Sequence, residues 1–391
     1  MLPADNRHRP GEQVLPLREV PDARPDPARR APRHVLMTAD AVGGVWRYAL
    51  DLAAEILAHG GRVTIAAMGP SPSGAQRAEA ERLGVALVDR PYRLEWMADP
   101  WQDLERAGRW LLALERRIEP DVVHLNGYYH SALPWVSPVV VVAHSCVRSW
   151  WRAVHGAEAP PEWDRYRRAV ADGLAAASLV VAPTAAMLAA LHEEYGLPAG
   201  ARVIPNGSTL TACGQPAARA KEPLVLAAGR LWDEAKNIES LCEVASSISW
   251  PVAVAGEARE PGGTWRHFPS VTYLGRLASA EMSDWYGRAA IYALPARYEP
   301  FGLSVLEAAA SGCALVLGDI RSLRENWTGT AVFVPPDNRR ALAAAIEGLI
   351  DDPARRQDLA GRARRRSAQF TVARMAEEYL RAYREVLELG A

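Results

Sequence analysis

From His34 onward the chain alternates short apolar runs with longer stretches of helical spacing. The runs 35–37, 63–67, 85–88, 122–125, 139–143, 179–182 and 203–204 are brief, uninterrupted and rich in β-branched residues. Such runs predict strands buried on both faces of a parallel sheet. Between the first two, residues 45–59 set Val45, Ala49, Leu52, Ala53 and Ile56 on one helical face. Strand and helix in alternation predict a doubly wound α/β domain.

The alternation breaks at 209–222, a small-polar stretch with Gly214 and Pro216 that reads as an interdomain linker. It then restarts. Runs 224–228, 252–255, 271–274, 291–294, 314–317 and 332–334 predict a second Rossmann-like domain. Residues 372–389 carry Met375, Tyr379, Tyr383 and Leu387 at four-residue steps, which predicts a closing helix. The domain expectation is a tail over 1–33, domains over 34–215 and 216–372, and a C-terminal helix over 373–391.

A chain of 391 residues exceeds what one core usually serves, which agrees with two domains. Residues 1–33 hold seven prolines among Arg and Asp and predict a flexible tail. Net charge is −1, so bulk electrostatics implies neither nucleic acid nor an anionic membrane. The four cysteines (Cys146, Cys213, Cys242, Cys313) show no zinc-like spacing and suit free thiols in a reducing compartment. With no apolar run of spanning length and no signal-peptide core, a cytoplasmic location is the default expectation.

Two stretches carry chemistry. In Pro295-Ala-Arg-Tyr-Glu-Pro-Phe-Gly302 a predicted strand ends, a loop follows and a helix begins near Gly302 or Leu303. Loops at the carboxyl ends of strands form the sites of open α/β sheets, and a helix N-terminus suits a phosphate. Glu299 lies in the loop and Glu307 inside the helix; pure helix would separate them by roughly 12 Å, near the length of a nucleotide sugar. They read as two grips on one ligand, or as a plain loop carboxylate and a solvated or capping one. The small residues 308–312 after Glu307 favour the first reading. In the second stretch, Gly229-Arg-Leu-Trp-Asp-Glu-Ala-Lys236 follows a strand. Arg230 and Lys236 could neutralise a departing diphosphate, or form surface pairs with Asp233 or Glu234; both readings stand on the residues alone.

Together, Gly229-Arg230, Lys236 and the E-x7-E pattern Glu299–Glu307 resemble the retaining family-4 glycosyltransferases of the GT-B fold, over about 34–389. The resemblance implies two Rossmann-like domains facing across a cleft, with the last helix crossing back to the first domain. It implies that Arg230 and Lys236 bind the donor diphosphate and that Glu299 meets the donor sugar at the reaction centre. Amides of Phe301, Gly302 and Leu303 would hold phosphate or sugar, and Glu307 the ribose hydroxyls. Gly229 would allow close approach of the cationic loop. Gly43 and Gly44 match the family's glycine-rich loop against donor phosphate and acceptor. His144, ending a predicted strand, resembles the histidine near the anomeric centre and is expected to orient sugar or acceptor. His124 reads as packing or cleft lining, and Asn206 as structural.

The sequence also departs from the family. Ser208 and Thr209 follow the Asn206-Gly207 turn where an acid is common, Ala258 stands where glycine is common, and Ala296 replaces a frequent serine.

No Asp-x-Asp motif suggests a catalytic metal, so the expectation is metal-independent transfer from a nucleoside-diphosphate sugar, with retention implied by the resemblance. The acceptor, a glycan, a lipid-linked sugar or a small molecule, stays open. Trp96, Trp101, Trp110, Trp135, Trp150, Trp151 and Trp163 could stack on it or pack the core. Arg355, Arg356, Arg362, Arg364, Arg365 and Arg366 suit peripheral membrane contact or a solvated helix face. A nucleotide-sugar epimerase, a phosphorylase and a non-catalytic sugar-nucleotide-binding subunit remain alternatives. A dinucleotide dehydrogenase is disfavoured, because no G-x-G-x-x-G follows either first strand.

Overall fold

In the computed structural model, which describes residues 32–41, 43–197, 200–211, 220–257 and 267–389, two parallel sheets are found where the two sets of apolar runs predict them. Residues 1–31 of the proposed tail, Ala258, Cys213 and most of the predicted linker lie outside the described residues. The first sheet contains β1 (His34–Asp40), β2 (Arg62–Met68), β3 (Ala86–Asp89), β4 (Val122–Leu125), β5 (Val139–Val142), β6 (Leu179–Ala182) and β7 (Arg202–Val203). The second contains β8 (Glu222–Ala228), β9 (Val252–Ala255), β10 (Val271–Gly275), β11 (Ala289–Leu294), β12 (Ala314–Gly318) and β13 (Ala331–Val334).

Their orders are β3-β2-β1-β4-β5-β6-β7 and β10-β9-β8-β11-β12-β13. Both are doubly wound. The winding reverses between β1 and β4 in the first lobe and between β8 and β11 in the second. A crevice opens outside the strand ends at such a point, because the loops on either side depart in opposite directions.

The central strands are buried on both faces as their composition predicts; every residue of β4, β5, β6, β9, β11 and β12 is buried. β3 and β10 correct that expectation. Each closes one edge of its sheet, and most of their side chains are half-buried or exposed.

The last helix, Val372–Leu389, does not pack with the lobe that precedes it. Met375, Ala376, Tyr379, Tyr383 and Val386 join the core built around Val35, Leu52 and Ile65, in the first lobe. The chain therefore crosses back. Where it crosses, Ser208 and Thr371 form a parallel bridge, and Ser208 N–H donates to the Phe370 carbonyl at 3.1 Å. Residues Ala31–Ala391 make one compact unit that includes both lobes.

Candidate active site

Most expected site residues sit on loops or helix starts after β1, β5, β8 and β11; Glu307 lies inside helix Leu303–Ala310. After β8, Gly229 carries φ 156, and an added Cβ would meet Ile238 Cδ1 at 3.0 Å and Lys236 Cγ at 3.4 Å. After β9, a Cβ on Gly256 would stand 1.8 Å from the Gly229 carbonyl oxygen, so the cationic loop rests directly on the neighbouring backbone. The loop then turns tightly. Asp233 accepts from the Ala235 amide at 3.0 Å, and its carbonyl accepts from the Lys236 amide at 2.9 Å.

Asn237 ends the turn in the left-handed region at φ 52, a conformation asparagine tolerates better than most residues. Its Nδ2 donates to the carbonyls of Pro295 and Pro336, both at 2.8 Å. Arg297 and Tyr298 amides donate to the Ala235 carbonyl at 2.8 and 3.2 Å. The loops after β8, β11 and β13 are thereby fixed to one another.

Lys236 Nζ lies 2.5 Å from Glu299 Oε2, and Glu299 Oε1 accepts the Gly302 amide at 3.0 Å. The Glu299 carboxylate is buried between a cation and the opening of helix Leu303–Ala310. Gly302 precedes that helix at φ 90, a conformation only glycine adopts cheaply. The Gly302 amide, expected to meet the donor, is engaged by Glu299 in this structure. Phe301 is buried, with its ring centroid 5.7 Å from that of Phe370, and its carbonyl accepts from Asn326 Nδ2 at 3.3 Å.

Arg230 takes the pairing weighed for it above: Nη2 donates to Asp233 Oδ2 at 2.6 Å and the guanidinium lies 5.0 Å over the Trp232 ring. The pair is partly exposed at Arg230, so it stabilises little by itself. Arg230 and Lys236 share one short loop, and Lys236 touches Glu299.

The immediate neighbours of Glu299 tie it to the first lobe. Tyr298 Oη is 2.8 Å from Ser149 Oγ and accepts the Cys146 amide at 3.2 Å, two residues beyond His144. The Pro300 carbonyl accepts from Thr184 Oγ1 at 2.9 Å. Glu299 is thus held on both sides against the strand ends that carry His144. Gly44, which opens helix Gly44–Ala58 after β1, closes the same crevice from another side; a Cβ there would lie 3.2 Å from Leu303 Cδ1. Gly43 precedes it at φ 82.

His144 is neutral at ordinary pH, since burial lowers it to about 4. Its Nε2 is 2.8 Å from Asn126 Oδ1. His124 is fully buried and bonds Tyr383 Oη through Nδ1 at 2.6 Å, so it links β4 to the last helix and does not line the crevice.

Glu307, half-buried in its helix, is raised from 4.5 to about 7, chiefly by loss of water; Tyr286 and Arg47 oppose the shift. Arg47 acts on it through its charge from the first lobe, where it pairs with Asp51 at 2.8 Å and Glu79 at 3.1 Å. Asn126, Asn237, Tyr298 and Arg47 were not singled out from sequence. Among the described residues no group of three His, Cys, Asp or Glu side chains is placed to hold a metal ion.

Of the seven tryptophans, Trp101 lines a cavity of about 370 Å³ together with Tyr129, Leu133, Arg165, Arg168 and Asp172. The arginine-rich helix Pro353–Ser367 is partly committed to the fold. Arg356 donates to the Leu349 and Ile350 carbonyls, Arg366 to Asn326, and Arg362 pairs with Asp358. No helix among the described residues is long and apolar enough to cross a membrane.

Comparison with known proteins bears on the family and the fold. Residues 42–211 match the family model described as Glycosyltransferase Family 4, and 222–352 the model described as Glycosyl transferases group 1. The chain is 27% identical to a glycogen synthase of Mycobacterium tuberculosis, over 88% of this chain and 92% of that one. It is 36% identical to a D-inositol 3-phosphate glycosyltransferase of Kineococcus radiotolerans, but over 28% of that relative's length. Among solved structures, sucrose-phosphate synthase of Thermosynechococcus elongatus superposes with TM-score 0.75 at 20% identity, over 91% of this chain and 100% of that one. Anabaena HepE, solved with UDP and glucose, gives 0.69 at 16% identity, over 90% and 99%. The fold and site define a GT-B enzyme of the glycosyltransferase class. The chain belongs to the family-4, group 1 glycosyltransferases.

Proposed function

We propose that this enzyme transfers a sugar from a nucleoside diphosphate to an acceptor hydroxyl, with retention and without a metal ion. The observation that carries the reading is the contact of Lys236 with Glu299, with Arg230 on the same loop and helix Leu303–Ala310 opening beside them. A diphosphate leaving with its sugar develops negative charge. Two cations and a helix N-terminus can meet that charge without solvent rearrangement. Glu299 and neutral His144 would hold the sugar from the two lobes, and Glu307 the ribose.

Retention requires the acceptor hydroxyl to attack from the face the diphosphate leaves. A phosphate oxygen is the nearest base in that geometry, and it would take the hydroxyl proton as the new glycosidic bond forms. The acceptor would enter from the first lobe. The Trp101 cavity, with the Tyr129 ring and the Arg165 and Arg168 guanidinium groups, Arg165 lying 4.0 Å over the indole, suits a polar, sugar-like extension of it. Membrane contact would fall to Arg355, Arg364 and Arg365, which are exposed.

The test is a panel of nucleoside-diphosphate sugars with saccharide and sugar-phosphate acceptors, run with and without EDTA. Anomeric configuration of the product is read by NMR. The expected result is acceptor-dependent diphosphate release, an unchanged anomeric configuration and indifference to EDTA. Donor conversion without acceptor would favour an epimerase, dependence on free phosphate a phosphorylase, and binding without turnover a non-catalytic subunit.

A further inference from the structure

We infer that Asn126 is a positioning residue that fixes the tautomer of His144, so that His144 meets its substrate only as a hydrogen-bond acceptor. The inference rests on the transferase reading for its consequence, though not for its geometry. Asn126 directly follows β4, at the first-lobe switch point, and both ends of its amide are determined. Its Nδ2 donates to the Thr38 carbonyl on β1 at 2.7 Å, and its backbone N–H donates to Thr38 Oγ1 at 3.0 Å. A carbonyl cannot donate, so the amide nitrogen must face Thr38 and Oδ1 must face the other way.

Two imidazoles converge on that oxygen: His144 Nε2 at 2.8 Å and His124 Nε2 at 3.2 Å. An amide oxygen has two lone pairs and no hydrogen, so His144, whose Nε2 has that oxygen as its partner, must present Nε2–H; His124 Nε2 also lies 3.3 Å from Tyr48 Oη and can donate to Asn126 or accept from that hydroxyl. Both rings are neutral at ordinary pH, with His144 near 4 and His124 near 3 because burial penalises the cation. A neutral ring protonated on Nε2 is bare on Nδ1. In His124 Nδ1 is paired with Tyr383 Oη at 2.6 Å, a hydroxyl that can serve either tautomer. In His144 the bare Nδ1 remains to accept a hydroxyl proton.

The ring packed on His144 is that of Tyr48 in helix Gly44–Ala58, 4.6 Å away, and Tyr48 in turn contacts His124 and Tyr379. A sugar hydroxyl would satisfy Nδ1 at that point, whereas a carboxylate or an O-methyl group brings no donor and would leave it unpaired.

The full-length enzyme labelled with ¹⁵N-histidine tests this directly, with His144→Gln assigning the resonances. Wild type should show His144 protonated on Nε2 and bare on Nδ1 from pH 5 to 8. Asn126→Ala should give a mixed tautomer and roughly a 10–100-fold loss in kcat, the scale at which a lost orienting partner acts. Asn126→Asp keeps the acceptor but adds charge, so it should retain Nε2–H while His144 titrates at a higher pH. A wild-type His144 carrying its proton on Nδ1 overturns the proposal. So does an Asn126→Ala spectrum identical to wild type; should that variant not fold, an unshifted His144 titration in Asn126→Asp does the same. The ring spectra need no turnover, so a negative donor screen would remove the transferase reading while leaving the tautomer decided.

Discussion

Lys236 Nζ and Glu299 Oε2, 63 residues apart in sequence, lie 2.5 Å apart across the second-lobe switch point. The lysine ends the turn after β8 and the glutamate sits in the loop after β11, adjacent strands at which the winding of the sheet reverses. An ion pair there, partly sheltered from water, holds a cation and a carboxylate ready where a diphosphate and its sugar would meet.

Replacing Glu299 by Gln preserves an acceptor for the Gly302 amide and removes the charge. We expect transfer to fall by at least about 100-fold, the scale lost when one preorganised electrostatic partner is removed. The melting temperature should stay within a few degrees of wild type. Steady-state kinetics and thermal denaturation on the same preparation check both halves.

Glu307 gives the pH dependence its sign. Burial raises it from 4.5 to about 7, so the free enzyme protonates it progressively as pH falls through that value. A carboxylate accepts two ribose hydroxyls and a carboxylic acid does so poorly. Nucleotide affinity should therefore be full above about pH 7 and decline below it, while Glu307→Gln should be weaker and flat. For the unliganded fold the sign is opposite. The folded state holds the proton more tightly than the unfolded chain, so this group's contribution to stability falls as pH rises from about 4.5 to about 7. Asp51, raised from 3.8 to about 6 by burial, adds in the same direction. Calorimetric titrations and melts at pH 6 and 8 separate the two trends.

Gly256→Ala tests the support under the cationic loop. Its φ is 134, and the new methyl would meet the Gly229 carbonyl at 1.8 Å, so the loop carrying Arg230 must move. We expect a loss of about 1–3 kcal/mol in stability together with weakened nucleotide binding. Unchanged melting and binding would show that the two backbones are not pressed together.

The strands are legible because each short apolar run forms a strand, buried on both faces in the middle of the sheets, and length separates these runs from the helices. The helix start at Leu303 was equally plain, since glycine, small residues and E-x7-E coincide there. What escaped depends on contacts between distant segments. Nothing in Tyr298 or Thr184 announces that they tether the Glu299 loop to the first lobe across 149 and 116 residues. Arg230 could be read as diphosphate ligand or as partner of Asp233, and the unliganded fold displays the second without opposing the first. Asn126 was within reach: a polar amide directly after a buried strand, two residues beyond His124, needs a partner of its own. Composition does not say which strand closes a sheet, so the edge strands β3 and β10 carry the same apolar signature as the buried central ones.

The central claim is that the loop holding Arg230 and Lys236 binds the donor diphosphate beside Glu299. Isothermal titration of UDP into wild type, Arg230→Ala, Lys236→Ala and the double variant tests it without knowledge of sugar or acceptor, with GDP and ADP as alternates. Each single change should weaken the preferred nucleotide roughly 10- to 100-fold, the worth of one charge-assisted hydrogen bond, and the double variant should show no measurable heat. Wild-type affinity in the double variant would contradict the account.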